Sequence, residues 1–189
     1  MLYEPKDFSA LLGTPGFSEQ LLKNHFTLYQ GYVKNVNTLF EKVGTAEAGT
    51  PEYSELKRRF GWEWNGMRLH ELYFGNMTKD AVTLSDDSPL RQKMAASFNS
   101  GEACEKNFRD TAALRGIGWV VMYYDNMADR LFNVWVSDHA ENHLAGCVPL
   151  LVMDMWEHAY TLDYGIKKAD YVDAFVKAID WNAVAGRLQ

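Results

Sequence analysis

Cysteine is scarce in this chain of 189 residues: Cys104 and Cys147 stand far apart and outside any Cys-x-x-Cys spacing. That excludes a disulfide framework and a thiolate metal site, so nitrogen and oxygen must hold any bound metal. Basic residues are in deficit, with 19 Lys+Arg against 25 Asp+Glu and a net charge of -6, which argues against a broad phosphate-binding surface as the chain's primary purpose, so no nucleic-acid partner is expected. No apolar run approaches the roughly 20 residues needed to span a bilayer. The opening Met1-Leu2-Tyr3-Glu4-Pro5-Lys6-Asp7 also lacks a basic stretch leading into an apolar one. No membrane partner and a cytoplasmic location are the expectations. Internal repeats and low-complexity segments are missing as well.

What the chain has in abundance is aromatic side chains, with 6 Trp, 10 Tyr and 10 Phe, in a composition that is 47% hydrophobic. Such residues give a packed core large buried area and rigid walls, which suits a dry, well-fixed pocket. Ser18-Glu19-Gln20 reads as an N-cap with an acidic first turn. It precedes Leu21, Leu22, His25, Leu28, Tyr29, Tyr32, Val33 and Val36 at helical spacing, so a helix is predicted to end near Gly44. Thr50-Pro51 starts a second helix whose inner face carries Leu56, Phe60, Met67, His70 and Tyr73, although Gly61 and Gly66 weaken an unbroken run. An antiparallel hairpin of these two helices is expected.

The polar segment Thr83 to Pro89 divides the chain into an N-terminal helical hairpin domain, 1–84, and a C-terminal α+β domain, 85–189. Two further helices are predicted between Leu90 and Arg115. A β-hairpin is predicted over Trp119 to Tyr124 and Leu131 to Val136, a buried third strand over Val148 to Met153, and a helix over Tyr171 to Ile179. The fold class is α+β, the second half carrying a small three-stranded antiparallel sheet beside its helices.

Of the five histidines, His25 and His70 fall on the apolar faces of the two hairpin helices. One such histidine alone is more often a hydrogen-bonded core residue; two that a hairpin brings together point to a metal. Asp154 and His158, four apart just after the third strand, can aim a carboxylate and an imidazole at one spot from the strand end and the first helical turn, although taken alone such a pair is more often a helix N-cap Asp with a nearby histidine. Three imidazoles and a carboxylate suit iron, manganese or zinc.

The segment Val148-Pro149-Leu150-Leu151-Val152-Met153-Asp154-Met155-Trp156-Glu157-His158-Ala159-Tyr160 resembles the signature of the iron/manganese superoxide dismutases. The resemblance extends to Ala95-Ala96-Ser97-Phe98, Gly116-Ile117-Gly118-Trp119, Asp180-Trp181-Asn182-Ala183-Val184 and Tyr32-Val33-Lys34-Asn35-Val36-Asn37, and is weak before Ser18 and between Gly44 and Trp62. It implies that His25, His70, Asp154 and His158 bind one Fe or Mn ion per subunit, which cycles between 3+ and 2+ while superoxide becomes O2 and H2O2. It makes Tyr32 the active-site tyrosine at the pocket mouth, and Trp119 and Trp156 walls of the metal site. Glu157 would contact the partner subunit's ligand histidine in a homodimer. Family members also use a group, usually Gln, that hydrogen-bonds the metal-bound solvent. Its two expected places hold Gly66 and the stretch Asp138-His139-Ala140-Glu141-Asn142, so His139 is expected to replace it. His143 has no family role and is expected to be solvated. A different mononuclear iron redox enzyme, or a metal-free interaction protein on the same fold, are the alternatives; the ligand count disfavours the first and the cost of buried unpaired polar groups the second.

The sequence departs from the family near the first ligand. Members usually place a His four residues after it and the tyrosine eight after it, whereas here Tyr29 stands at four and Tyr32 at seven. Positions i, i+4 and i+7 share a helix face without a bulge, so a regular first helix is expected. The family's His-Tyr contact across the interface cannot form, since its other member is Thr161 here. The expectation is therefore a homodimer that keeps the Glu157–His158 link and has a more tyrosine-rich gateway, with Tyr29 either beside the ligands or at the interface.

Overall fold

A computed structural model describes residues 2–80 and 82–188. Ser18 starts the first helix, α1 (Glu19–Thr45), by accepting the Leu21 N–H at 3.0 Å, which satisfies one of the donors a helix N-terminus leaves open. Thr50 does the same for α2 (Pro51–Phe74) by accepting from Tyr53, and Pro51 costs nothing where no N–H is needed. The two helices pack together as a hairpin. Buried on α1 are Leu21, Leu22, His25, Tyr29, Tyr32, Val33 and Val36, a stripe at helical spacing. α1 is regular α-helix throughout, with no bulge between His25 and Tyr32.

α2 runs unbroken through both glycines. At Gly66 the missing side chain has a use: a Cβ there would lie 2.7 Å from the Tyr32 ring. Next come α3 (Pro89–Phe98) and α4 (Gly101–Ala112), then β1 (Gly118–Asp125), β2 (Arg130–Ser137) and β3 (Val148–Asp154). The strands form one antiparallel sheet in the order β2-β1-β3. The central strand is buried from Gly118 to Tyr123 and β3 from Leu150 to Asp154, so both read as continuous apolar runs.

The register sets Trp119 opposite Asp154 on one side and Val136 on the other, which brings the start of β1 and the ends of β2 and β3 to one place. A 3-10 turn (Glu157–Ala159) follows, then α5 (Thr161–Tyr164), α6 (Lys168–Lys177) and α7 (Trp181–Ala185). The four-residue α5, the five-residue α7 and the 3-10 turn Ser9–Leu11 were not predicted, being too short to display a helical period. No helix among the described residues is long and apolar enough to cross a membrane.

Candidate metal centre

Four side chains from four segments meet where α1, α2 and the end of β3 come together. His25 and His70 arrive from the hairpin, Asp154 closes β3, and His158 lies in the 3-10 turn beyond it; their ligand atoms all lie within 4.8 Å of one another. Asp154 Oδ2 is the common point, 3.1 Å from His25 Nε2, 3.0 Å from His158 Nε2 and 3.6 Å from His70 Nε2. Its other oxygen accepts the Trp156 N–H at 2.8 Å, which fixes the carboxylate's rotation.

His70 tests whether a cation fits. Its Nδ1 lies 2.6 Å from the Gly66 carbonyl, an acceptor, so the proton sits on Nδ1 and the lone pair on Nε2. That Nε2 is fully buried with no hydrogen-bond partner and faces a carboxylate oxygen. Two acceptors pointed at each other in a dry site are costly unless a positive ion lies between them. The donor set fits a single Fe or Mn ion.

The electrostatics agree. Burial alone would raise Asp154, but the charge of His158 and the hydrogen bonds from His158 and His25 bring it well below the usual carboxylate range. Burial lowers His25, and burial with the neighbouring His25 lowers His70 further, so both imidazoles stay neutral and able to ligate.

Around these residues the walls are aromatic. Trp119, wholly buried, meets the His70 ring edge-on at 5.0 Å, and Trp156 stacks on both His139 and His158 at 4.9 and 5.9 Å. The His139 ring is buried, with Nε2 2.8 Å from the Tyr32 hydroxyl and Nδ1 accepting the Trp119 indole N–H at 3.0 Å. Tyr32 lies between the His70 ring, 5.0 Å away, and a small opening of about 210 Å³ lined by Leu28, Asn35, Arg59, Trp62 and Glu63. Glu157 is exposed.

Two expectations are corrected. Tyr29 is not at the gateway: only 1% exposed, it faces into the protomer, accepting from the Lys6 N–H at 3.0 Å and donating to Glu71 at 3.0 Å. The i+4 position that puts it on the inner face of α1 also carries it into the layer behind His70, where their rings stack at 6.4 Å. His143 is not solvated: its side chain is half-buried and bonded through both nitrogens.

Sequence reasoning also missed three supports. Glu71, buried beside His70, is neutralised by Arg68 at 2.6 Å and Lys6 at 3.2 Å. Tyr171 donates to the Asp154 carbonyl at 2.6 Å, and Asn76 to that of Val152 at 2.6 Å. The one available signal was a polar residue on an apolar helix face, and that signal names no partner.

Comparison with known proteins places the chain's relationships. The sequence pattern of the iron/manganese superoxide dismutases, C-terminal domain, matches residues 86–187. The chain is 38% identical to the superoxide dismutase [Fe] of Cupriavidus metallidurans, over 99% of this chain and 96% of the relative. It is 33% identical to the superoxide dismutase [Fe] of Aquifex pyrophilus, over 98% and 91%. It is 34% identical to superoxide dismutase [Mn] 2 of Haloferax volcanii, over 98% and 92%.

Proposed function

Because the chain belongs to the iron/manganese superoxide dismutase family and is a superoxide dismutase using Fe or Mn, we propose roles for its individual residues. His25, His70, Asp154 and His158 hold the ion, and the observation that carries this is the orphaned Nε2 of His70 facing Asp154 Oδ2. One superoxide gives up an electron and leaves as O2; a second gains it and, with two protons, leaves as H2O2. The bound ion supplies the one-electron acceptor and donor by alternating between 3+ and 2+.

The protein's share is the proton. An indole N–H can only donate, so the Trp119 contact makes His139 Nδ1 an acceptor and puts the ring's proton on Nε2. That proton is donated to the Tyr32 oxygen, leaving the Tyr32 O–H free to turn toward the substrate. Burial brings His139 down to about 4, so it stays neutral at working pH and does not reverse the bond. Burial, with the Asp154 and Glu63 charges, raises Tyr32 and keeps its proton in place until peroxide forms. The tryptophans exclude bulkier reductants. Metal analysis of the purified protein, with dismutase assays after reconstitution with each metal, tests the ligand set; inactivity with both would overturn it.

The net charge of -6 repels superoxide at long range, so attraction must come from within about 8 Å of the mouth, the screening length at physiological salt. We assign it to Arg59, whose guanidinium lies 4.0 Å above the Trp62 ring and is held by Glu63 at 2.7 Å. Glu63 opposes it. Glu63→Gln is therefore expected to raise kcat/KM about twofold at low salt, and Arg59→Glu to lower it about fivefold, both effects shrinking as salt is added. Equal salt dependence in both variants and the parent would remove Arg59 from this role.

A homodimer is the expected assembly. Three of the four ligands are essentially sealed within the protomer, whereas the His158 side chain is 28% exposed beside the exposed Glu157, with Leu162 57% exposed just beyond. A partner subunit covering this turn would shield the fourth ligand through its own Glu157. Sedimentation is expected to give twice the 21.6 kDa chain mass, and Glu157→Ala to shift it toward the monomer with weaker metal retention. A fully active monomer at micromolar concentration would count against the interface. The cytoplasm, and a boundary between the two halves near residue 85, complete the reading.

A further inference from the structure

His139 is the single buried residue in the turn Asp138 to Asn142, and its sequence neighbours on both sides are exposed. The turn is tight: Ser137 and Glu141 exchange main-chain hydrogen bonds at 3.2 Å, and Asp138 and Asn142 adopt φ of 50 and 70, left-handed values that Asp and Asn accept more readily than most residues. Something must hold such a turn so that its one inward side chain stays against Tyr32 and Trp119.

The His139 carbonyl oxygen receives two side-chain donors from two different parts of the chain. Asn65 of α2 donates its amide at 2.6 Å and His143 its Nε2–H at 3.0 Å. The Asn65 amide and His143 Nε2 lie side by side, 3.3 Å apart, both directed at that one oxygen. A carbonyl has two lone pairs, and both are filled here. The His143 tautomer is fixed in turn: with the proton on Nε2, its Nδ1 accepts the Tyr123 hydroxyl at 2.9 Å. Burial pushes Tyr123 up to about 12, so that phenol remains a donor.

We propose that Asn65 and His143, with Tyr123 behind His143, form a clamp on the His139 carbonyl that presents the His139 imidazole to Tyr32. They are positioning residues for the proton-bearing pair. The inference rests on the proposed role of Tyr32 and His139. It adds that the pair's geometry is set from α2 and β1 through a main-chain oxygen.

The test uses the metal-loaded protein, with kcat per bound metal, the pH dependence of kcat and the midpoint potential as readouts. Asn65→Ala and His143→Ala are each expected to keep the metal, lower kcat about three- to tenfold and shift the alkaline limb of the pH profile. His143→Gln, whose amide can donate to the same oxygen, should restore most of the loss. Tyr123→Phe should give a smaller change of the same sign, and it carries the test should His143→Ala fail to fold. Variants that lose only thermal stability, with kcat per metal, pH profile and potential unchanged, would overturn the clamp. His139→Ala separates the two levels: if it too leaves kcat and pH profile unchanged, the reading of the Tyr32–His139 pair fails; if it alters them while the clamp variants do not, only the clamp fails.

Discussion

Asp154→Ala is expected to purify with less than a tenth of an ion per subunit and to lose at least about 100-fold of dismutase activity. The substitution removes the oxygen on which the three Nε2 atoms converge at 3.0 to 3.6 Å, and the negative charge that makes a trivalent or divalent ion welcome in a fully buried site. Removing even an outer hydrogen-bond partner of a ligand typically costs metal affinity about 10- to 100-fold, and removing a ligand itself costs more. Asp154→Asn separates charge from shape. It preserves volume and can still accept the Trp156 N–H, so it should fold near-normally while holding metal far less well than the parent. Elemental analysis and activity per chain are the measurements. An Asp154→Ala protein with full metal content and full dismutation would dismiss the ligand assignment.

The hairpin and its two histidines were legible because a helix writes its buried face into the sequence at a fixed spacing. His25 and His70 share their faces with Leu21, Leu22, Met67 and Tyr73, and burial followed from that. The sheet was legible from apolar runs at Trp119 and Val148 for the same kind of reason. Spacing states which way a side chain points and leaves open what lies opposite. Tyr29 shows the difference: its face was read correctly, but α1 packs against α2 and the Lys6 segment there, so the residue lies behind His70 and away from the mouth. His143 was beyond reach because its partners are a phenol on β1 and a main-chain oxygen, and no periodicity encodes a carbonyl. Glu71 has no signal in the sequence, because the segment carrying Lys6, far from it in the chain, is what covers it.

The departure in spacing on α1 has a counterpart on α2, and together they give the second large effect. With Tyr32 seven residues after His25 on an unbulged helix, the ring lies flat against the α2 backbone at Gly66, where any Cβ would come within 2.7 Å of two ring carbons. The ring has nowhere to retreat: His70, His139 and Trp62 stand around it at 5.0, 5.1 and 5.9 Å between centroids. Gly66→Ala gains about 1 kcal/mol of helix propensity. Against this, overpacking a filled site costs about 1–3 kcal/mol. The net is a modest loss of stability, about 1 kcal/mol, with a disproportionate loss of function: moving the ring breaks the 2.8 Å bond to His139 and presses on His70, so kcat is expected to fall about tenfold or more. In a Tyr32→Val background the added methyl has room, and Gly66→Ala should there raise the melting temperature. That reversal of sign between backgrounds is the signature of a direct steric coupling. A Gly66→Ala protein that is more stable than the parent and equally active would mean that the Tyr32 ring can shift without cost, and that the pairing of a glycine at 66 with a tyrosine at 32 has no bearing on the site.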